Sequence, residues 1–194
     1  MDYLAYSHNH NLVILSLILA VVSGFTGFTL TQNLSAKTLS QRKISVSMAA
    51  VALGGGIWSM HFVAMLGLNL PVMVFYDAAI TLASALIAIL IVAVALIILH
   101  FFVRTSVTIV LAGCIVGSGI LLMNYIDMAG LQLCKPIYTV QGLVLSSVVA
   151  FFSCIVAFWV AYKERNNRNI FFATICFGIA VVSVHFLDIC LLYT

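Results

Sequence analysis

The chain has 194 residues, of which 7% are charged and 64% apolar, and its net charge is +3. An ordinary soluble domain carries roughly 25% charged residues, so this composition excludes a water-soluble globule and points to an integral membrane protein. It also excludes a nucleic-acid partner, because the basic residues lie in short connections and form no stripe.

In chain order, six apolar runs near 11–31, 44–66, 78–100, 107–129, 140–162 and 170–192 are each about 20 residues long or slightly longer. A run of that length spans the roughly 30 Å hydrocarbon layer as a helix. The connections leave no room for a folded soluble domain. The first run has no basic region before it and is followed by Lys37, Arg42 and Lys43, so it reads as a retained span and not as a cleaved signal peptide.

Seven basic residues (Lys37, Arg42, Lys43, Arg104, Lys163, Arg165 and Arg168) fall in connections 1–2, 3–4 and 5–6, which places those connections on the cytoplasmic side. The other side holds Lys135 together with Asp2, Asp77, Asp127 and Asp188, and both termini are expected there, outside. The three separate outer-edge carboxylates, Asp77, Asp127 and Asp188, read as solvated helix ends. The five cysteines, Cys114, Cys134, Cys154, Cys176 and Cys190, are expected to act as small hydrophobes, with Cys134 and Cys190 the one outer-side pair open to bridging.

The even-numbered spans align on one another without gaps, which makes the chain a threefold internal repeat. Gly54 matches Gly117 and Gly178; Gly56 matches Gly119 and Ala180; Met60 matches Met123 and Val184; His61 matches Asn124 and His185; Phe62 matches Tyr125 and Phe186. In the odd spans Ser16, Ser84 and Ser146 share a column, as do Ala20, Ala88 and Ala150. The units, about 8–66, 76–129 and 138–192, form a single transmembrane domain over 1–194. A two-helix unit returns to its starting side, so the expected fold is an all-α membrane protein of six transmembrane helices, arranged as three parallel two-helix repeats around a pseudo-threefold axis. Small residues let helices approach closely in lipid, and the glycine column therefore points to the even helices as the inner ring. His61, Asn124 and His185 would then form one layer near the outer membrane surface.

An ionisable group inside the membrane is costly enough to be a functional candidate by default. A lone histidine more often hydrogen-bonds a neighbouring helix, but two at equivalent repeat positions, His61 and His185, offer two nitrogen ligands to one pocket, and imidazole suits copper, zinc, iron or nickel. Thioether sulfur narrows this towards Cu(I). Met65 lies one turn from His61 on the same face, with Met128 as its counterpart in the second unit; Met60 is rotated by about 100° and points to a neighbouring helix, with Met123 in its column. Each methionine taken singly has core packing as its simpler role.

The stretches SMHFVAM at 59–65, LMNYIDM at 122–128 and SVHFLDI at 183–189 resemble the three motif copies of the MHYT membrane-sensor family. The likeness covers about residues 6–194, including Tyr76-Asp77 before the third span and His8-Asn9 before the first. It implies paired helices with the motifs near the outer surface, bound copper, and sensing of a diatomic gas such as oxygen, carbon monoxide or nitric oxide. Family members often carry cytoplasmic domains that make or degrade cyclic diguanylate. Two positions depart from the motif: Asn124 stands for histidine and Val184 for methionine. An amide oxygen is a poor Cu(I) ligand, so a symmetric three-histidine site is impossible, and Asn124 is expected to hydrogen-bond a histidine or a bound ligand.

The expected function is therefore a membrane-integral sensory module in a bacterial inner (cell) membrane. His61, His185, Met65, Met128, Met60 and Met123 are its candidate metal residues, and Asn124 is a polar neighbour in the same site. The alternatives are a small-solute transporter or channel, for which no helix-interior proline or charged path is visible, and a membrane anchor or scaffold without metal. An enzyme is not expected, since no activated nucleophile or acid/base pair stands out. The chain ends at Thr194 just after the sixth span, so the output is expected either in a removed C-terminal domain or in a separate cytoplasmic signalling protein. The basic-residue asymmetry predicts that cysteines introduced at residues 2 and 194 react with a membrane-impermeant reagent added outside intact cells. Labelling only after lysis would refute the orientation.

Overall fold

The computed structural model describes residues 7–69, 75–132, 140–164 and 166–192; the side chains of residues 7–8, 35, 69, 131–132 and 188–192 are not described. Asp2, Pro71, Cys134, Lys135, Pro136, Arg165 and Thr194, the side chains of His8, Asp188, Ile189 and Cys190, and any Cys134–Cys190 bridge lie outside the described residues. Six helices carry the fold: α1 (His10–Leu30), α2 (Leu39–Leu66), α3 (Ala78–Phe101), α4 (Ser106–Ala129), α5 (Val140–Lys163) and α6 (Asn167–Leu192). All six are long and apolar enough to cross a membrane. Among the described residues Cys114, Cys154 and Cys176 are unbridged.

Local chemistry sets the helix ends. Helix α2 starts five residues before its expected apolar run because Thr38 and Gln41 form a reciprocal capping box, with Gln41 N–H donating to Thr38 Oγ1 at 3.4 Å and Thr38 N–H to Gln41 Oε1 at 3.2 Å. The extra turn carries Arg42, whose guanidinium lies 4.8 Å over the Phe101 ring at the end of α3. Thr105 and Thr108 repeat the box at the start of α4. At the other side of the bundle, Asn9 and Asp77 cap α1 and α3; Asp77 Oδ1 accepts from Ala79 N–H at 2.9 Å and Ile80 N–H at 3.1 Å. The expected helix-end role of Asp77 is thus its role in the fold.

The ends of each unit meet. Two short antiparallel pairs, β1 (Ser7–His8) with β2 (Leu68–Asn69) and β3 (Phe75–Tyr76) with β4 (Leu131–Gln132), tie the segment before an odd helix to the segment after the next even one. Asn9 N–H to Gly67 O at 2.8 Å and Asp77 N–H to Gly130 O at 3.0 Å extend the two pairs. These bonds satisfy backbone groups that lipid cannot.

The helices neighbour one another in a ring: α1 packs on α2 and α6, α3 lies between α2 and α4, and α5 lies between α4 and α6; α2, α4 and α6 also touch pairwise. The apolar stretches of α2, α4 and α6 are 56%, 50% and 50% buried, against 28%, 33% and 28% for α1, α3 and α5, so the even helices are the inner set. The odd helices turn apolar faces outward, as in the exposed stripe Leu82, Leu86, Leu90 and Val94 on α3. At the basic-residue side Phe28, Phe158, Tyr162 and Phe177 interlock from α1, α5 and α6, with ring centroids 5.7–6.1 Å apart, and Tyr162 OH meets Thr31 Oγ1 at 3.1 Å.

The glycine column works differently from the expectation that it crowds the inner helices together. A Cβ on Gly54 would lie 2.5 Å from Ile89 Cα and 2.9 Å from Ala88 C on α3. One on Gly117 would meet Ala150 O and Phe151 Cα on α5, each at 3.3 Å, and one on Gly178 would approach Val21 and Ala20 on α1. Each even helix therefore presses its glycine on the alanine column of the next unit's odd helix, and the third unit meets the first. Gly56 and Gly119, two residues on and nearly opposite around the helix, face Ser23 of α1 and Ile91 of α3 within their own units. An even helix is held between two odd helices because it has a small residue on each flank. Gly54→Ala should lower stability in detergent by about 1–3 kcal/mol through overpacking, whereas Gly55→Ala, with nothing within 4 Å of the new methyl, should be neutral or stabilising by up to about 1 kcal/mol. Equal thermal unfolding shifts for the two variants would remove this contact from the fold.

Candidate functional site

The motif layer forms in the last turns of α2, α4 and α6. Helix α2 closes with Gly67 N–H donating to Val63 O and Ala64 O, both at 3.1 Å, before the chain turns into β2. His61 lies on the final turns of α2 and His185 occupies the equivalent place on α6. Both are buried, at 2% and 1% exposure. Their Nδ1 atoms are 2.9 Å apart, with ring centroids 4.6 Å apart and planes at 90°. That separation is a hydrogen bond, and it requires one ring to donate from Nδ1 and the other to accept.

Asp127 joins this pair, which overturns its reading as a solvated helix end. It is 2% exposed on α4; Ser84 Oγ on α3 donates to its Oδ1 at 3.1 Å, and its Oδ2 lies 3.3 Å from His61 Nε2. The polar contacts run from Ser84 on α3 through Asp127 on α4 and His61 on α2 to His185 on α6, so side chains of all three units take part. Asp127 was legible in one respect. It lies one turn after Asn124, on the same face as the motif position, inside an apolar run. Ser84 belongs to the repeated serine column, all three members of which are wholly buried. Ser16 and Ser146 bond carbonyls of their own helices, and Ser84 bonds Thr81 O at 2.8 Å as well as reaching Asp127.

The remaining candidate residues are all buried in this layer or beside it. Asn124 is 3% exposed; Met60 and Met123 are 1% and 0%, and Met65 and Met128 are 4% and 7%. Met60 is as fully buried as His61, its neighbour in sequence. The aromatic motif column lies further out. Phe62 stacks on Trp58 at 5.3 Å and meets Tyr76 edge-on at 5.6 Å, and Phe186 meets His185 at 5.2 Å. Phe62 thereby braces the entry to α3, and rings flank the histidine layer.

Among the described residues no three His, Cys, Asp or Glu side chains converge as a metal cluster. The soft donors of the candidate set are the imidazoles of His61 on α2 and His185 on α6 and the thioethers on α2 and α4, types that suit a soft ion. A linear two-imidazole site, with metal–nitrogen bonds of about 2.0 Å, would need the two nitrogens about 1 Å further apart than the 2.9 Å found here.

Comparison with known proteins places this geometry in context. The profile described as MHYT, "Bacterial signalling protein N terminal repeat", matches residues 54–113 and 117–174. The bifunctional diguanylate cyclase/cyclic di-GMP phosphodiesterase MucR of Pseudomonas aeruginosa is 34% identical over 93% of the chain and 27% of its own length. The cyclic di-GMP phosphodiesterase NbdA of the same organism is 29% identical over 93% of the chain and 24% of its own length. The signaling protein YkoW of Bacillus subtilis is 23% identical over 93% of the chain and 23% of its own length. The chain thus spans about a quarter of the curated relatives it matches. No solved structure matches it.

Proposed function

The chain is a membrane-integral member of the MHYT family of bacterial signalling-protein repeats, and we propose that it is a sensing module that holds copper through His61 and His185 and registers a diatomic gas or a change in redox state. The observation that carries this reading is the buried His61–His185 contact at 2.9 Å, which joins the first and third repeats. Two imidazoles enclosed by helices are a poor choice for mere packing, since each must find a polar partner in hydrocarbon. Met65 and Met128, with Met60 and Met123, are the thioether donors on the same two helices that supply His61 and Asn124, and a soft donor set favours Cu(I) over zinc or magnesium. Bound copper supplies a redox-active centre at which oxygen, carbon monoxide or nitric oxide can coordinate. The chain's own part is to enclose that centre, exclude water from it, and transmit a change in the His61–His185 contact to α2 and α6.

The output follows from the relatives. MucR and NbdA are named as cyclic di-GMP enzymes of which this region is about a quarter. On the proposed reading the module has no catalysis of its own and is the membrane part of a system that changes cyclic di-GMP through a linked domain or a separate cytoplasmic protein. An outer position for the histidine layer in a bacterial inner membrane agrees with the basic connections on the opposite side.

The test is Cu(I) affinity of the purified chain in detergent, read by competition with a chromogenic Cu(I) chelator. His61→Ala and His185→Ala should each weaken binding by at least about tenfold, Met65→Leu should weaken it less, and Asn124→His should strengthen it by restoring a third imidazole. Copper content unchanged in both alanine variants, with Asn124→His indistinguishable from the parent, would overturn the copper reading.

A further inference from the structure

The second repeat lacks a motif histidine, yet it brings a carboxylate to the first repeat's histidine. Asp127 lies three residues after Asn124, on the same face of α4, and is buried among apolar helices. Among the described residues it contacts no lysine or arginine. Its Oδ1 lies 3.1 Å from Ser84 Oγ, whose single hydroxyl hydrogen it shares with Thr81 O at 2.8 Å. Its Oδ2 has no formed hydrogen bond, and neither has His61 Nε2, which lies 3.3 Å away. The distance allows a hydrogen bond, but donor and acceptor are not aligned as one. The two atoms are of complementary type and within hydrogen-bond distance without being aligned as a formed bond, and pairing them would relieve the desolvation penalty that each otherwise carries in a buried place.

From this geometry we infer that Asp127 is a positioning residue: it holds His61 as the Nε2–H tautomer and thereby sets the direction of the His61–His185 hydrogen bond. A carboxylate oxygen accepts, so the His61 nitrogen facing it carries the hydrogen. The lone pair of His61 is then on Nδ1. Because Nδ1 of His61 is 2.9 Å from Nδ1 of His185, His185 must donate from Nδ1, and its own lone pair is on Nε2. Ser84 lies against the far oxygen of Asp127, so the order Ser84, Asp127, His61, His185 sets which nitrogen of each ring carries the hydrogen in the metal-free chain. Carboxylates that orient histidine ligands through the second ring nitrogen do this elsewhere in metal sites. The repeat that gave up an imidazole contributes the group that orients one. The ordering needs no bound ion: it rests on the 3.3 Å approach of Asp127 Oδ2 to His61 Nε2 and on the 2.9 Å bond between His61 and His185.

The test uses the full chain without metal, labelled with ¹⁵N-histidine in detergent micelles or nanodiscs, with His61→Gln and His185→Gln used to assign two of the five histidines. The parent should show His61 with its hydrogen on Nε2 and His185 with its hydrogen on Nδ1, together with ¹⁵N–¹⁵N coupling across the Nδ1–H···Nδ1 bond. Asp127→Leu should release this order, so that His185 gains Nε2–H and the coupling weakens. Asp127→Asn should restore the parent pattern, since its amide oxygen still accepts. Finding the hydrogen of His61 on Nδ1 in the parent, or an unchanged pattern in Asp127→Leu, would overturn the assignment; if the leucine variant does not fold, the parent spectrum decides alone. A second arm measures Cu(I) affinity, which should fall about 10–100-fold in Asp127→Leu. Copper bound equally by that variant and the parent counts against the positioning role while leaving the copper reading in place. The expected tautomers in a protein that binds no copper uphold the role and sink only that reading.

Discussion

The structure depends on glycine pressed against a neighbouring backbone. In lipid, apolar side chains gain little by leaving one apolar surface for another, so helix association draws on close packing and on polar contacts between helices. Gly54 on Ala88 and Ile89, Gly117 on Ala150 and Phe151, and Gly178 on Ala20 and Val21 supply that packing at each passage from one unit to the next. Within units Gly56 and Gly119 make room for the side chains of Ser23 and Ile91. With a small residue on both flanks, an even helix slots between two odd ones and is carried inward, and the final turns of α2 and α6 come within hydrogen-bonding reach.

Polar side chains delivered to that interior must then satisfy one another. Ser84, Asp127, His61 and His185 come together from four helices at separations between 2.9 and 3.3 Å, with hydrogen bonds formed between Ser84 and Asp127 and between the two histidines. Each such contact in a membrane protein is worth only about 0.6 kcal/mol on average, so their significance lies in orientation more than in stability. A histidine bonded through Nδ1 and directed through Nε2, as inferred for His61, would have one rotamer and one tautomer. A sensor needs that kind of definition, because a ligand can shift an equilibrium only as far as it distinguishes two states.

Much of this could be read from the chain itself, for physical reasons. Six spans were visible because hydrocarbon thickness fixes their length, and the threefold repeat was visible because glycine and alanine columns recur wherever helices must touch. The pairing of His61 with His185 followed from their shared repeat position. The partner of each glycine did not, since a column in one helix does not say which neighbour it meets, and the contacts proved to be even-on-odd. Asp127 was misread for a similar reason. Proximity to a helix end suggests solvent, but the strand pairs β1–β2 and β3–β4 and the aromatic residues Trp58, Phe62 and Tyr76 build out the bundle at that level. The early start of α2 was missed because a capping box at Thr38 extends the helix beyond its apolar run.

The account centres on His61 and His185 as partners that bind the first repeat to the third, from which both the site and its orientation by Asp127 follow. A double-mutant cycle measures that partnership most directly, using His61→Ala, His185→Ala and the double variant, with unfolding free energies taken in one detergent. The account predicts a coupling of about 0.5–2 kcal/mol, with the second substitution losing little once the first has been made. Losses that add to within about 0.3 kcal/mol would contradict it, because two residues that do not touch destabilise independently.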